Sequence, residues 1–266
     1  MKILTIPILA HDASICILED GAITSYQMEE RFSRKKHDYN SELILDNHPT
    51  DVFDKIIISE HFLKNYCFPI ESILKKIRKH SYEELIIEQE RHHIFHAYSG
   101  FYNSGFDEAI CLSIDGTGAV LKNGGVEIES IYILKKDQKE NRLYQKTRKV
   151  DLAEEGDTFT TLIIRVADKD LSIGEKFSKY SYHIGYDSLD GSGKIMGLAQ
   201  YKNFKEKLQY PYDTKKWKQR VDQAYDLQQE TQNYILSLIK KYTEETGVKN
   251  VVISGGYALN CVANYH

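Results

Sequence analysis

The sequence predicts an α/β fold built from two copies of one sheet plan that close over a ligand. Three observations carry that expectation. A strand–aspartate–strand–glycine turn–strand pattern occurs twice, and strands and amphipathic helices alternate between the copies. With 266 residues, 41% of them hydrophobic, the chain can also bury one large or two modest cores.

Taken in order, residues 3–8 form an apolar strand that leads to Asp12, a second strand at 14–18, the Glu19-Asp20-Gly21 turn, and a third strand ending at Met28. Asp-Gly flanked by apolar runs is a strong hairpin signal. A strand at 55–59, an amphipathic helix over 70–79, and a strand near 85–88 follow. A helix over 91–103 is stopped by Gly105, with Ile94, Tyr98 and Phe101 spaced to face a core. The second copy runs from the buried strand 109–114 to Asp115, a short strand at 119–121, the turn 122–125, and a strand to Leu134. Asp12 precedes Gly21 by nine residues and Asp115 precedes Gly124 by nine, although two unrelated hairpins would also look alike. Residues 135–149 are polar and lysine-rich and read as a surface loop or insertion. A helix over 172–183, a Gly/Ser/Asp loop at 186–193, and renewed order at 194–198 come next. A long helix over 217–246 is capped by Gly247, and the strand 251–253 runs into SGGYALN. The first lobe is expected at about 1–105 and the second at about 106–266.

Net charge is −4 with acids and bases interspersed, so no nucleic-acid footprint stands out. MKILTIPILA imitates a signal peptide, but its apolar run is short, and it reads as the first core strand. No segment has the length of a membrane span. Cys16, Cys67, Cys111 and Cys261 are scattered without a CxxC pair, which favours reduced thiols and a cytoplasmic location.

His92 and His96 in HHIFHAYSGFY stand four apart, so both imidazoles leave one helix face, and Asp115 follows at a strand end. Two imidazoles and a carboxylate suit a divalent metal with positions left open for substrate. The pair alone also fits a histidine-rich helix surface with Asp115 capping a turn. A zinc protease is excluded because His93 stands where its general-base glutamate is required. SIDGTG and SGGYALN each follow a strand, where glycine lets backbone amides approach a phosphate. No P-loop or dinucleotide fingerprint is present. HDAS and EERFSRKKHD sit at opposite ends of the first hairpin. His11 fits a general base or a satisfied turn histidine equally well, and the Arg31–Lys36 basic run fits a phosphate contact or a solvated edge.

In this order, HDAS, EERFSRKKHD, HHIFHAYSGFY, SIDGTG, KIMGLAQY and SGGYALNCVAN resemble the O-carbamoyltransferases of the nodulation-protein-U type. That family includes enzymes acting on aminoglycoside, cephem and aminocoumarin antibiotics. The resemblance implies a duplicated domain of the actin/sugar-kinase/heat-shock-ATPase superfold. It also implies a further C-terminal domain that makes carbamoyl-adenylate from carbamoyl phosphate and ATP. The N-terminal domain would then pass the carbamoyl group to a hydroxyl of a small molecule or sugar. By resemblance, His92, His96 and Asp115 are ligands of iron. His11 lies by the transferred group, Lys36 contacts the adenylate phosphate, and Gly116, Gly118, Gly255, Gly256 and Asn260 cradle the nucleotide. Thr117, Asp12 and Ser14, within the same motifs, join that cofactor-binding set.

Departures are present. Tyr257 stands where the family has Val, Gln200 where it has Pro, and GSG precedes Lys194 in place of an acidic-aromatic pair. A fourth metal ligand and the adenylate-forming domain are not found, so the second half is expected to be incomplete. An isolated chain of this kind is expected to be inactive unless a second polypeptide supplies the rest. Threonylcarbamoyl transfer to tRNA, a non-catalytic ATP-binding module and a sugar kinase of the same superfold remain as alternatives.

Overall fold

A computed structural model describes residues 1–8, 12–38, 42–48, 51–60, 70–149, 166–186, 188–204 and 215–265. They group into two compact units, Met1–His92 with Ala119–Asn123, and His93–Gly118 with Gly124–His266.

The first unit comprises β1 (Lys2–Ile8), β2 (Ser14–Glu19), β3 (Ala22–Met28), α1 (Glu29–Ser33), α2 (Glu42–Asp46), β4 (Val52–Glu60), α3 (Ile70–Ile77) and β5 (Ser81–Glu88). Its sheet runs β3-β2-β1-β4-β5. β1 pairs antiparallel with β2, Leu4 opposite Ile17, and parallel with β4, Leu4 beside Ile56. The β2–β3 hairpin closes through Asp20 and Gly21, both at positive φ (50° and 84°), as a two-residue hairpin loop requires. Alternation along the strands buries Leu4, Ile6, Ile15, Ile17, Ile56 and Ile58 against Ile44, Leu45, Ile73 and Ile77. The buried Glu29 carboxylate accepts from the Leu43 and Ile44 amides at 2.9 and 3.0 Å and so anchors α2.

The second unit opens with α4 (His92–Ser104), whose first residue lies at the unit boundary, and β6 (Glu108–Ile114). Then come β7 (Gly125–Lys135), β8 (Asn141–Lys149), α5 (Ile173–His183), α6 (Ser188–Gln200), α7 (Lys215–Thr246), β9 (Val251–Ser254) and α8 (Cys261–Asn264). Its sheet runs β8-β7-β6-β9, with β6 antiparallel to β7 and parallel to β9. β6 is covered on both faces, which explains its unbroken apolar run. Ile110, Leu112 and Ile114 face α5, α6 and α7 through Phe177, Ile195 and Val221, while Ala109 and Cys111 face α4 through Ile94 and Phe101.

Both sheets therefore share one plan: a first strand antiparallel to the second and parallel to the fourth. The duplicated α/β fold is present, but the repeat aligns differently from the sequence expectation. Residues 119–121 form no strand, apart from a single bridge at Val120, and residues 122–124 belong to the connection before β7, which Gly125 begins. The true counterpart of β3 is β8, in the polar stretch 141–149 read as a loop. The nine-residue match between Asp–Gly spacings is thus a coincidence. β8 is a largely exposed edge strand, with Leu143 and Tyr144 only partly buried against the core, so its apolar pattern is weak. Residues 188–193, also read as a loop, are helical. Burial of Ile195, Leu198 and Ala199 outweighs the weak propensity of Gly and Ser, and a Cβ on Gly191 would overlap the Ser181 hydroxyl of α5. α7 does end at Gly247, at φ 73°. No helix of the described residues is long and apolar enough to cross a membrane.

Candidate metal centre

α4 packs on the sheet through Ile94, Ala97 and Phe101, against Ala109, Cys111, Tyr132, Leu134 and Val252. Tyr98, expected on this face, is only partly buried, and its hydroxyl donates to Glu140 Oε2 at 2.7 Å. A Cβ on Gly100 would stand 2.6 Å from Val252 Cγ1, so that glycine sets how closely helix and sheet approach. The Ser113 hydroxyl donates to the His93 carbonyl at 2.7 Å and ties the first turn of α4 to β6. This anchoring aims His92 and His96 at the end of β6, where Asp115 begins the next turn.

One donor atom from each of His92, His96 and Asp115 falls within 4.8 Å of the others, and all three residues are half-buried. His96 Nε2 lies 3.0 Å from Asp115 Oδ2. The other carboxylate oxygen, Oδ1, accepts from the Gly116 amide at 2.7 Å and the Gly256 amide at 3.2 Å. Backbone donors hold one oxygen of Asp115 and leave the second turned to the imidazole.

His93, between the two candidate ligands, points the other way and is fully buried. Its Nδ1 is 2.8 Å from Ser130 Oγ. Its ring fills the space where Gly118 would carry a side chain: a Cβ there would meet His93 Nε2 at 2.5 Å and Glu127 Cβ at 2.9 Å. Gly118 therefore accommodates a core histidine. Gly116 lies in the same turn, and the Thr117 hydroxyl donates to Glu175 Oε1 at 3.1 Å.

SGGYALN packs against this turn. Gly255 adopts φ 86°, and a Cβ there would overlap the Ile114 carbonyl; a Cβ on Gly256 would stand 2.8 Å from Asp115 Oδ1. Asn260 is buried, exchanges two amide hydrogen bonds with Gln228 at 3.0 and 3.2 Å, and caps α8 through Ala263 N at 3.0 Å. Tyr257 is also buried, against Phe177, and burial pushes its phenol up to about 12.

In the first unit, Asp12 and the KKHD segment lie side by side, not at opposite ends. Antiparallel pairing of β2 with β3 folds both flanks to the open end of the hairpin. His37 Nδ1 is 2.9 Å from Asp12 Oδ1, the His37 amide donates to Glu30 Oε2 at 3.2 Å, and Ala13 N donates to the Asp38 carbonyl at 2.8 Å. Ser14 is buried at the start of β2, and Lys36 is exposed in the turn after α1. His11 lies outside the described residues.

Three residues around the Asp115 turn were not singled out from sequence: Ser172, Glu175 and Arg148. Ser172 and Glu175 form a capping box at the start of α5, for which Ser-x-x-Glu is a readable signal. Nothing in the sequence pairs Glu175 with Arg148, 27 residues away.

A family model described as "Carbamoyltransferase N-terminus" matches residues 41–235. The chain is 23% identical to an uncharacterized protein of Synechocystis sp., over 98% of this chain and 51% of that protein. It is 21% identical to nodulation protein NolNO of Sinorhizobium fredii, over 96% of this chain and 42% of that protein. The chain thus spans about half the length of the curated relatives it matches. Among solved structures, full-length HypF in a phosphate- and nucleotide-bound form is similar at TM-score 0.49 and 13% identity, over 98% of this chain and 49% of that one.

Proposed function

The chain belongs to the carbamoyltransferase N-terminus family, and from that premise we propose that it moves a carbamoyl group from carbamoyl-adenylate to a hydroxyl of a small molecule or sugar. The adenylate would derive from carbamoyl phosphate and ATP. The observation that carries this reading is the convergence of His92, His96 and Asp115, with Asp115 Oδ1 held by two amides.

The donor set fits a divalent cation. Ligand atoms about 2.1 Å from one ion lie roughly 3–4 Å apart, and His96 and Asp115 already stand at 3.0 Å. Two imidazoles and one carboxylate leave positions open and match the preference of iron(II). When bound, such a cation supplies Lewis acidity toward the carbamoyl carbonyl oxygen.

The chain's own groups do the rest in this proposal. The amides of Gly116 and Gly256 keep the Asp115 carboxylate oriented by holding its Oδ1. Lys36, exposed beside the Asp12–His37 pair, is a cation for the adenylate phosphate. As the acceptor oxygen bonds to the carbamoyl carbon, the carbon–oxygen bond to AMP breaks, and the hydroxyl proton passes to a base, the role proposed for His11, which the resemblance puts by the transferred group.

Anaerobic titration of the purified chain with Fe²⁺ is expected to show one equivalent bound, lost in His92→Ala and His96→Ala. Combined with a second polypeptide that supplies the remaining part, carbamoyl phosphate, ATP and a hydroxylated acceptor should then yield an O-carbamate only with metal present. Stoichiometric binding unaffected by both substitutions would refute the metal assignment.

A further inference from the structure

We propose that Ser172, Glu175 and Arg148 are positioning residues for Asp115, fixing the turn that aims its carboxylate at His96. This rests on the metal reading above and extends it to three side chains that touch no candidate ligand atom.

The Ser172 hydroxyl has two jobs. As N-cap of α5 it accepts from Glu175 N at 3.0 Å, and its own proton is directed to the Asp115 carbonyl at 2.8 Å, with the Gly116 carbonyl at 3.3 Å. Capping alone needs only an acceptor. The hydroxyl's second contact falls on the backbone of the candidate ligand itself. Glu175 continues the clamp: Oε2 accepts from Ser172 N at 2.9 Å, while Oε1 accepts from Thr117 Oγ1 at 3.1 Å and from Arg148 Nε and Nη2 at 3.0 and 2.6 Å. Asp115, Gly116 and Thr117 are thus each held from α5. A Cβ on Gly174 would stand only 3.0 Å from the Asp115 carbonyl, so the helix end abuts the turn.

Ser172 and Glu175 are fully buried and Arg148 is 8% exposed, so water does not compete for these bonds. With its carbonyl fixed by Ser172 and Oδ1 fixed by amides, the remaining freedom of Asp115 is small, and Oδ2 is left facing His96. Outer partners that orient a metal ligand typically change affinity about ten- to a hundred-fold when removed.

The test titrates the whole chain with Co²⁺ alone, followed by its visible absorption, at a temperature where circular dichroism shows every variant folded. Ser172→Ala should bind Co²⁺ about ten- to a hundred-fold more weakly with an altered spectrum, and Ser172→Thr, which keeps the hydroxyl, should recover both. Val221→Ala, a core truncation on α7 that removes none of the turn's hydrogen bonds, should bind as wild type although it is less stable. If Ser172→Ala does not fold, Arg148→Lys, which keeps the charge but loses the guanidinium's paired contact, should weaken binding about tenfold. Wild-type affinity in Ser172→Ala or Arg148→Lys, or an equal loss in Val221→Ala, overturns the proposal. A wild-type chain that binds no Co²⁺ overturns the metal reading itself, and the positioning role falls with it.

Discussion

Replacing Gly118 with alanine separates two explanations of the DGTG turn. The glycine has no need of a left-handed backbone, because its φ lies outside the positive range. Any cost therefore comes from space. The new methyl would stand 2.5 Å from His93 Nε2, 2.8 Å from its Cδ2 and 2.9 Å from Glu127 Cβ, within a core where His93 is fully buried. Overpacking of this kind costs about 1–3 kcal/mol. Moving the imidazole also disturbs its 2.8 Å contact with Ser130 Oγ, adding about 1 kcal/mol or more. A net loss of about 3 kcal/mol would lower the melting temperature of a unit this size by roughly 6–12 °C. Trp217, the single tryptophan, packs on the second unit's core, so its fluorescence reports that unfolding in urea or heat. In a His93→Ala background the same substitution should cost at least about 1.5 kcal/mol less, with Glu127 Cβ keeping the rescue partial. A melting temperature within about 2 °C of wild type, accompanied by lost nucleotide binding, would refute the packing account. Gly118 would then serve phosphate approach, as the sequence alone suggests.

Four further outcomes follow from the same geometry. Tyr257→Phe should raise stability by about 1 kcal/mol in urea unfolding, because among the described residues the buried hydroxyl has only a weak interaction with Thr231; a loss would show that it is properly paired. Gly255→Ala combines positive φ with overlap on the Ile114 carbonyl, and should cost more than about 3 kcal/mol or abolish folding; a mild effect on the melting curve would contradict it. Burial against Phe53 holds His80 below its usual pKa, outweighing Asp51, with His48 and Lys79 acting in the same direction as burial. The neutral form is the stable one, so its contribution is full above about pH 6.5 and declines as pH falls from there through the folded-state value, by at most about 1.4 kcal/mol per pH unit. His80→Phe should flatten that acid limb, and equal slopes in urea unfolding from pH 7.5 to 5 would sink the assignment. Finally, burial pushes the Cys111 thiol up to about 12 whereas Cys261 is exposed, so mass spectrometry after thiol labelling should find Cys261 modified in the folded chain and Cys111 only on unfolding.

The parts of the candidate site legible from sequence are those set by local periodicity. His92 and His96 share a helix face because four residues make about one turn, and the apolar run of β6 ends at Asp115 whatever surrounds it. The β2–β3 turn was equally plain, since Asp20-Gly21 encodes its own backbone conformation. β8 and the start of α6 were missed for the opposite reason: an edge strand needs little apolar patterning, and a Gly/Ser-rich helix forms because its neighbours bury it.

By itself the sequence determined the α/β class, the spacing of the imidazoles and the carboxylate's place at a strand end, all consequences of periodicity within a strand or one turn of helix. Only the tertiary structure decided that His93 fills the space over Gly118, that Asp12 meets His37, and that Ser172, Glu175 and Arg148 converge on the Asp115 turn. Those contacts join segments tens of residues apart, and their partners are fixed by strand order and helix packing, which no local pattern encodes.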